Sequence, residues 1–369
     1  MNLPRRACLV LVVCLPALCW AQQNTAPASV TGQPEVTLPS APQPSPAASA
    51  LRNAEGRIHL DVVVTGKSGK PVSGLELKDF TLQDNNHPVK ILSFHPIDET
   101  APKARPPVEV ILVVDTVNET HQHVAFVRQE IEKFLRQNDG HLAQPVSLFV
   151  LTNDGVDAQR LPSADGNALA AKLDQLDDRL RTIGRSGGAW GAIERFQLSV
   201  KTMLDIANAE AKKPGKKLLI WAGAGWPLLD SPRIQTTYQG QQQSFDMIVQ
   251  LSARLREARI SAYSISVGAP ALGTYLYKEF LKGVPSAQKA SVSNLGLKVL
   301  AVHSGGSVLG PDNDLTAQIN RCVQDAQYFY TLSFDPPLAA HANEYHDLKV
   351  LVAKPGLTAR TSTGYYNQP

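Results

Sequence analysis

Beyond Cys19 the chain holds a single cysteine, Cys322. Once the first 21 residues are removed, no internal disulfide can form, which excludes a cystine-stapled scaffold. Cys322 itself belongs to the set Leu315, Ile319, Cys322, Val323 and Ala326, spaced as one face of a helix. It therefore reads as a packed thiol and not as a nucleophile. Long apolar runs are also missing. No stretch beyond residues 7–18 is apolar for long enough to be considered for a bilayer, so no transmembrane segment follows signal cleavage. Charge of one sign is scarce too. The 36 Lys and Arg against 33 Asp and Glu leave +3, which falls to +1 without Arg5 and Arg6. A nearly neutral chain without a basic run offers nucleic acid no electrostatic footing.

What is present begins with an export signal. Arg5 and Arg6 precede an apolar core too short to span a membrane, and Cys19-Trp20-Ala21 ends on a small residue before Gln22. Residues 1–21 read as a cleaved signal peptide. Leu18 ahead of Cys19 argues against lipid attachment there. Export without disulfides points to a bacterial periplasm, cell surface or extracellular space. Residues 22–54 are rich in Pro, Ala, Ser and Gln and poor in large apolar side chains. Such a segment cannot bury enough surface to offset its ordering entropy, so it reads as a disordered linker.

The folded part starts and ends in β structure. In residues 55–104, His59–Val64, Asp79–Leu82 and Val89–Phe94 read as short strands around polar turns. In residues 328–369, Tyr328, Tyr330, Leu332 and Phe334 alternate, and 348–352 alternate again. Each segment is too small to stand alone. The expectation is that they pair into one small β-sandwich. Between them, residues 105–327 alternate strand and helix. Residues 109–114, 146–151, 217–222 and 260–267 are apolar enough for strands covered on both faces. Val124, Val127, Ile131, Phe134 and Leu135 share a helix face, as do Ile193, Phe196, Val200, Met203, Leu204 and Ala207, and Met247, Ile248, Leu251 and Leu255. The expected fold is α/β, a doubly wound, Rossmann-like and mainly parallel sheet inserted between the halves of the sandwich.

One stretch at the head of that domain carries the functional question. In Ile111-Leu112-Val113-Val114-Asp115 an apolar strand delivers an acid to the sheet edge. With Gly187-Gly188 and Leu218-Leu219-Ile220-Trp221 it resembles a von Willebrand factor type A domain. The flanks, Pro71-Val72-Ser73-Gly74-Leu75 with Asp79-Phe80 and Tyr345–Val350 with Lys354-Pro355-Gly356-Leu357 and Gly364-Tyr365-Tyr366, resemble the secreted VWFA-related family of acidobacterial type. The resemblance covers about residues 55–366. It implies a binding or scaffold module and no catalysis.

Many A domains hold Mg²⁺ through Asp-x-Ser-x-Ser, a Thr and a further Asp, hard oxygens suited to a hard octahedral ion. Matched position by position, only Asp115 stands. Val117 and Glu119 occupy the serine positions, Gly187-Gly188-Ala189 lacks the Thr, and Ala222 replaces the acid. The resemblance thus implies a degenerate metal site, with no cofactor. Mg²⁺ on Asp115 and Glu119 is the alternative. Otherwise Asp115 accepts backbone N–H groups of its own turn or caps the helix from His121. His121 and His123 lie close by, but no second cluster completes a soft-metal set.

Enzyme readings find little. Gly184-Arg185-Ser186-Gly187-Gly188 fits the nucleophile-elbow pattern, yet a charged helix-like segment and no strand precedes Ser186. A serine hydrolase at Ser186 is the remote alternative. Gly215-Lys216-Lys217 lacks the spaced glycines of a phosphate loop. Ligands of open α/β sheets sit beyond the carboxyl ends of the strands. Arriving there are 116–120, 184–190 and 223–238, with Trp190, Trp226, Arg185 and Arg233, residue types that dominate protein-binding hot spots. These four are the candidate contacts for a protein or cell-envelope partner, with 227–243 as a long Gln-rich recognition loop.

Overall fold

Each end of the folded chain supplies strands to the same two sheets. The computed structural model describes residues 56–98, 108–175, 188–229, 237–266 and 275–369. The chain first lays down β1 (Ile58–Thr65), β2 (Phe80–Asp84), β3 (His87–Val89) and β4 (Ser93–Asp98). It ends with β11 (Tyr328–Phe334), β12 (Glu344–Val352), β13 (Thr358–Arg360) and β14 (Gly364–Asn367). One sheet has the order β13-β1-β11-β4, the other β14-β12-β2-β3. The alternation of β1 turns Ile58, Leu60, Val62 and Val64 inward. They meet Phe80, Leu82, Leu348, Val350 and Phe334 in a shared apolar core.

Between them run β5 (Glu109–Asp115), α1 (His121–Leu135), β6 (His141–Thr152), β7 (Gly155–Asp165), α2 (Gly166–Gln175) and α3 (Gly188–Glu210). Next come β8 (Lys217–Ala222), α4 (Tyr238–Glu257), β9 (Ile260–Ile265), α5 (Tyr275–Phe280), α6 (Leu297–His303), β10 (Ser307–Val308) and α7 (Leu315–Gln324). The strand order is β10-β9-β8-β5-β6-β7. All neighbours are parallel except β6 and β7. This is a mixed α/β sheet covered on both faces. Val110, Leu112 and Val114 of β5 pack towards α1, α2 and α7, while Ile111 and Val113 pack towards α3, α4 and α6.

Two elements depart from the expectation. Residues 146–151 are only the centre of β6, which begins at His141 and carries register shifts before Leu148. β7 is a strand the sequence pattern does not announce. Its sequence shows no sustained apolar alternation and includes Pro162, which an antiparallel edge strand accepts because one row of N–H groups needs no partner. The expected signal peptide and linker, residues 1–54, lie outside the described residues.

The sandwich joins the α/β part through charge as well as apolar contact. Asp61 of β1 takes a two-pronged contact from Arg259, with Nε at 3.1 Å. Arg360 of β13 pairs with Asp325, which also accepts from the Tyr263 hydroxyl at 2.8 Å.

Candidate functional site

β5 ends where the strand order reverses, between β6 and β8, and places Asp115 at that point, 1 % exposed. Both of its carboxylate oxygens are engaged from within the fold. Oδ1 accepts the backbone N–H groups of Val117 and Asn118, each at 3.0 Å. Oδ2 accepts Asn118 Nδ2 and the Trp221 indole N–H, each at 2.8 Å. Burial pushes the Asp115 carboxyl above the usual aspartate range, and the hydrogen bonds from Asn118, Trp221 and the backbone pull it back. Asn118 also donates to Ser199 Oγ at 3.0 Å, tying the loop to α3. Gly223, just past β8, has room for no side chain, since a Cβ there would stand 2.8 Å from that of Asp115.

Asp115 closes its own turn but does not cap α1. That cap is Thr120, whose hydroxyl accepts from His123 N at 3.4 Å. Glu119 is 4 % exposed, and its carboxylate meets His123 Nδ1 at 3.1 Å. Burial raises the Glu119 pKa, the contact with His123 lowers it, and the neighbouring Asp115 charge raises it again. Val117 is sealed in the apolar layer with Trp221, and Ala222 is fully buried. Neither offers an oxygen. The side chain of Ala189 lies outside the described residues. This donor set does not fit an octahedral magnesium ion. Among the described residues no three His, Cys, Asp or Glu side chains gather as a metal cluster.

The four candidate contact residues part company. Trp226 is a correction: it is 5 % exposed, with its ring edge-on to Trp221 at 5.1 Å and to Phe196 at 6.3 Å. A ring so enclosed gains more from the apolar layer than any loop position would give it. Trp190 is 65 % exposed in the first turn of α3. Arg185, Arg233 and Ser186 lie outside the described residues. Sequence reasoning missed Tyr238, 70 % exposed in the first turn of α4 directly after the Thr237 cap. The signal was available, because Thr237 followed by a helical pattern marks a helix start. Residues 238–243 are therefore helix, and the expected recognition loop is shorter than 227–243. Both helices end beside Lys217 at the start of β8, whose ammonium donates to Glu210 O and Ala258 O, each at 3.1 Å, so their first turns, with Trp190 and Tyr238, lie toward the carboxyl ends of the strands.

No protein-family model and no curated relative matches the chain. Among solved structures it is similar to human COPII-coat protein Sec24c at 11% identity and TM-score 0.34, covering 71% of this chain and 44% of that one. It is similar to manganese-loaded TRAP of Plasmodium vivax at 9% identity and TM-score 0.33, covering 74% and 97%. It is similar to the pilus adhesin SpaC of Lactobacillus rhamnosus GG, open conformation, at 12% identity and TM-score 0.37, covering 83% and 42%. The chain thus spans less than half of Sec24c and of SpaC. Likeness at this level says nothing of family or activity. Among the described residues no helix is long and apolar enough to cross a membrane.

Proposed function

We propose that this chain is an exported, non-catalytic interaction module of von Willebrand A type. Its doubly wound sheet binds a protein or cell-envelope partner at the carboxyl rim without a divalent cation. The observation that carries the reading is the closed state of Asp115, with four donors from its own fold on its two oxygens. A carboxylate so engaged would have to surrender buried hydrogen bonds before it could ligate a metal. The strand order supports the doubly wound assignment, since ligands of such sheets gather at the carboxyl ends where the order reverses. Exposed Trp190 and Tyr238 at that rim supply the kind of rigid aromatic surface that anchors protein contacts.

The test is capture from the native envelope by the full chain, with and without chelator, beside the Trp190→Ala/Tyr238→Ala double variant. Capture that survives chelation and is lost in the variant supports the proposal. Capture abolished by chelator and restored by Mg²⁺ would replace it with the metal-dependent adhesion reading on Asp115 and Glu119.

A further inference from the structure

The first turns of α3 and α4 stand level with each other. Both helices run from the rim towards Lys217, and Trp190 lies 20 residues before Glu210 while Tyr238 lies 19 before Glu257. At about 1.5 Å per residue, each ring is raised by about 30 Å from that shared end. The rings also leave their helices in the same direction. With about 100° of turn per residue, Trp190 sits roughly a quarter turn round from the buried stripe of Phe196, Val200 and Met203. Tyr238 sits roughly a quarter turn round from the stripe of Phe245, Ile248 and Leu251, in the same rotational sense. The two helices pack side by side and in parallel. Rings that lean the same way from such neighbours are as far apart as the helix axes, about 8–10 Å.

The surface around the rings is neutral and rich in donors. Gly188-Ala189-Trp190-Gly191 and Tyr238-Gln239-Gly240-Gln241 hold no charged residue. Thr237 accepts the N–H groups of Gly240 and Gln241, through its hydroxyl and its carbonyl. Those of Tyr238 and Gln239 have no acceptor within the helix, as at any helix start. Gln239 is exposed and adds an amide.

A ligand that fits is therefore uncharged, rich in acceptors, poor in donors, and apolar at a repeat near that of the rings. A polyproline II strand meets each condition. It has three residues per turn and rises about 3.1 Å per residue, so prolines three apart share one edge at a spacing of about 9 Å. Proline carries a carbonyl and no N–H, and the strand makes no hydrogen bonds of its own. A glycan would present hydroxyl protons as well, and neither first turn has a carboxylate to receive them. We propose that the partner at the rim is a neutral proline-rich segment of an envelope protein. Two of its prolines, three apart, lie against Trp190 and Tyr238, and a carbonyl between them meets the first-turn N–H groups of α4. This rests on the rim reading and names the chemistry of its partner. Such a ligand is already extended, so it loses little freedom on docking.

The experiment titrates the full chain by calorimetry with an acetylated dodecapeptide that carries proline at every third position among Ala, Ser and Gln. Beside it run the same peptide with proline at every fourth position, its all-alanine version, and tetra-N-acetylchitotetraose. The first probe should bind, the second about tenfold more weakly, and the alanine peptide and the glycan not at all. Trp190→Ala and Tyr238→Ala should each weaken the first probe by at least about tenfold, with melting curves like the parent's because both side chains are exposed. The proposal is overturned if the first probe does not bind, binds no better than the other peptides, or binds equally well to the double variant. Glycan binding that the double variant abolishes would overturn it in favour of a saccharide platform. A dimer in sedimentation that the same variant abolishes would put a second copy there instead. Two failures stay distinct. No probe binding, with envelope capture still dependent on Trp190 and Tyr238, removes this inference alone. Capture untouched by the double variant removes the rim reading and this inference with it.

Discussion

Asp115 owes its place to the groups around it more than to its charge. Removing the carboxylate would strand two backbone N–H groups, the Asn118 amide and the Trp221 indole in a region closed to water. Unsatisfied buried donors cost about 1–3 kcal/mol each when they cannot relax. Asp115→Ala should therefore destabilise the chain by about 3 kcal/mol or more, read as a fall in the urea midpoint. A purely metal-holding aspartate behaves in the opposite way, since its removal relieves repulsion in the apo protein. Unchanged or increased stability in Asp115→Ala would sink the structural account. Asp115 was legible in the sequence because an apolar strand ran straight into it. Its second partner was not, since Trp221 is 106 positions away and only the parallel pairing of β5 with β8 brings the indole to it.

At the scale of elements, the exits of β5 and β8 are set against each other by the missing side chain at Gly223. A methyl there must displace Asp115 or the strand end, and overpacking of this kind costs about 1–3 kcal/mol. Gly223→Ala should lower the melting temperature, and if the rim binds a partner it should weaken capture as well. A second clamp lies within the sandwich. Asp84 at the end of β2 meets His346 Nδ1 of β12 at 2.7 Å and accepts the Tyr365 hydroxyl of β14 at 2.6 Å, all three buried. Asp84→Ala opens three strands at once and should cost about 2–4 kcal/mol, while leaving metal titrations and rim capture as they were. Elements with strong periodicity were readable: α1 buries Val124, Val127, Ile131, Phe134 and Leu135, the set its 3.6-residue spacing picks out. β7 was not, because an edge strand facing water needs no apolar alternation. Nor does sequence say which strands pair, and β1 takes partners from residues about 270 and 295 positions away, β11 and β13. Trp226 failed for a related reason. A tryptophan in a loop after a strand looks the same in sequence whether it turns outward or folds back over Phe196.

For the whole molecule, the junction of sandwich and α/β part is a mostly paired set of charges with one exception. Asp61 holds Arg259, and Asp325 holds Arg360 and Tyr263. Lys216 is 2 % exposed beside them, its ammonium 4.2 Å from the centre of the Phe329 ring and without a hydrogen-bond acceptor among the described residues. Burial lowers its pKa to about 8, against the attraction of Asp61 and Asp325. The sign follows from proton counts. Between about pH 8 and the unfolded value of 10.5, the unfolded chain holds a proton on this lysine that the folded chain has lost. Stability from this residue therefore rises with pH across that window, and below pH 8 the full cost of burying the ammonium is present. Lys216→Met keeps an apolar stem over Phe329 and leaves both acid–arginine pairs intact. At pH 7 it should match or exceed the parent in stability, by an amount on the order of 1–3 kcal/mol. That advantage should shrink steadily as the comparison moves to pH 9.5. Groups that titrate elsewhere in the fold are common to both proteins and cancel in the difference. A gap that stays constant between pH 7 and 9.5 would mean that the lysine keeps its proton in the folded junction. The two acids would then hold it as a third ionic link between the sheets, and Lys216→Met would loosen the sandwich from the α/β part.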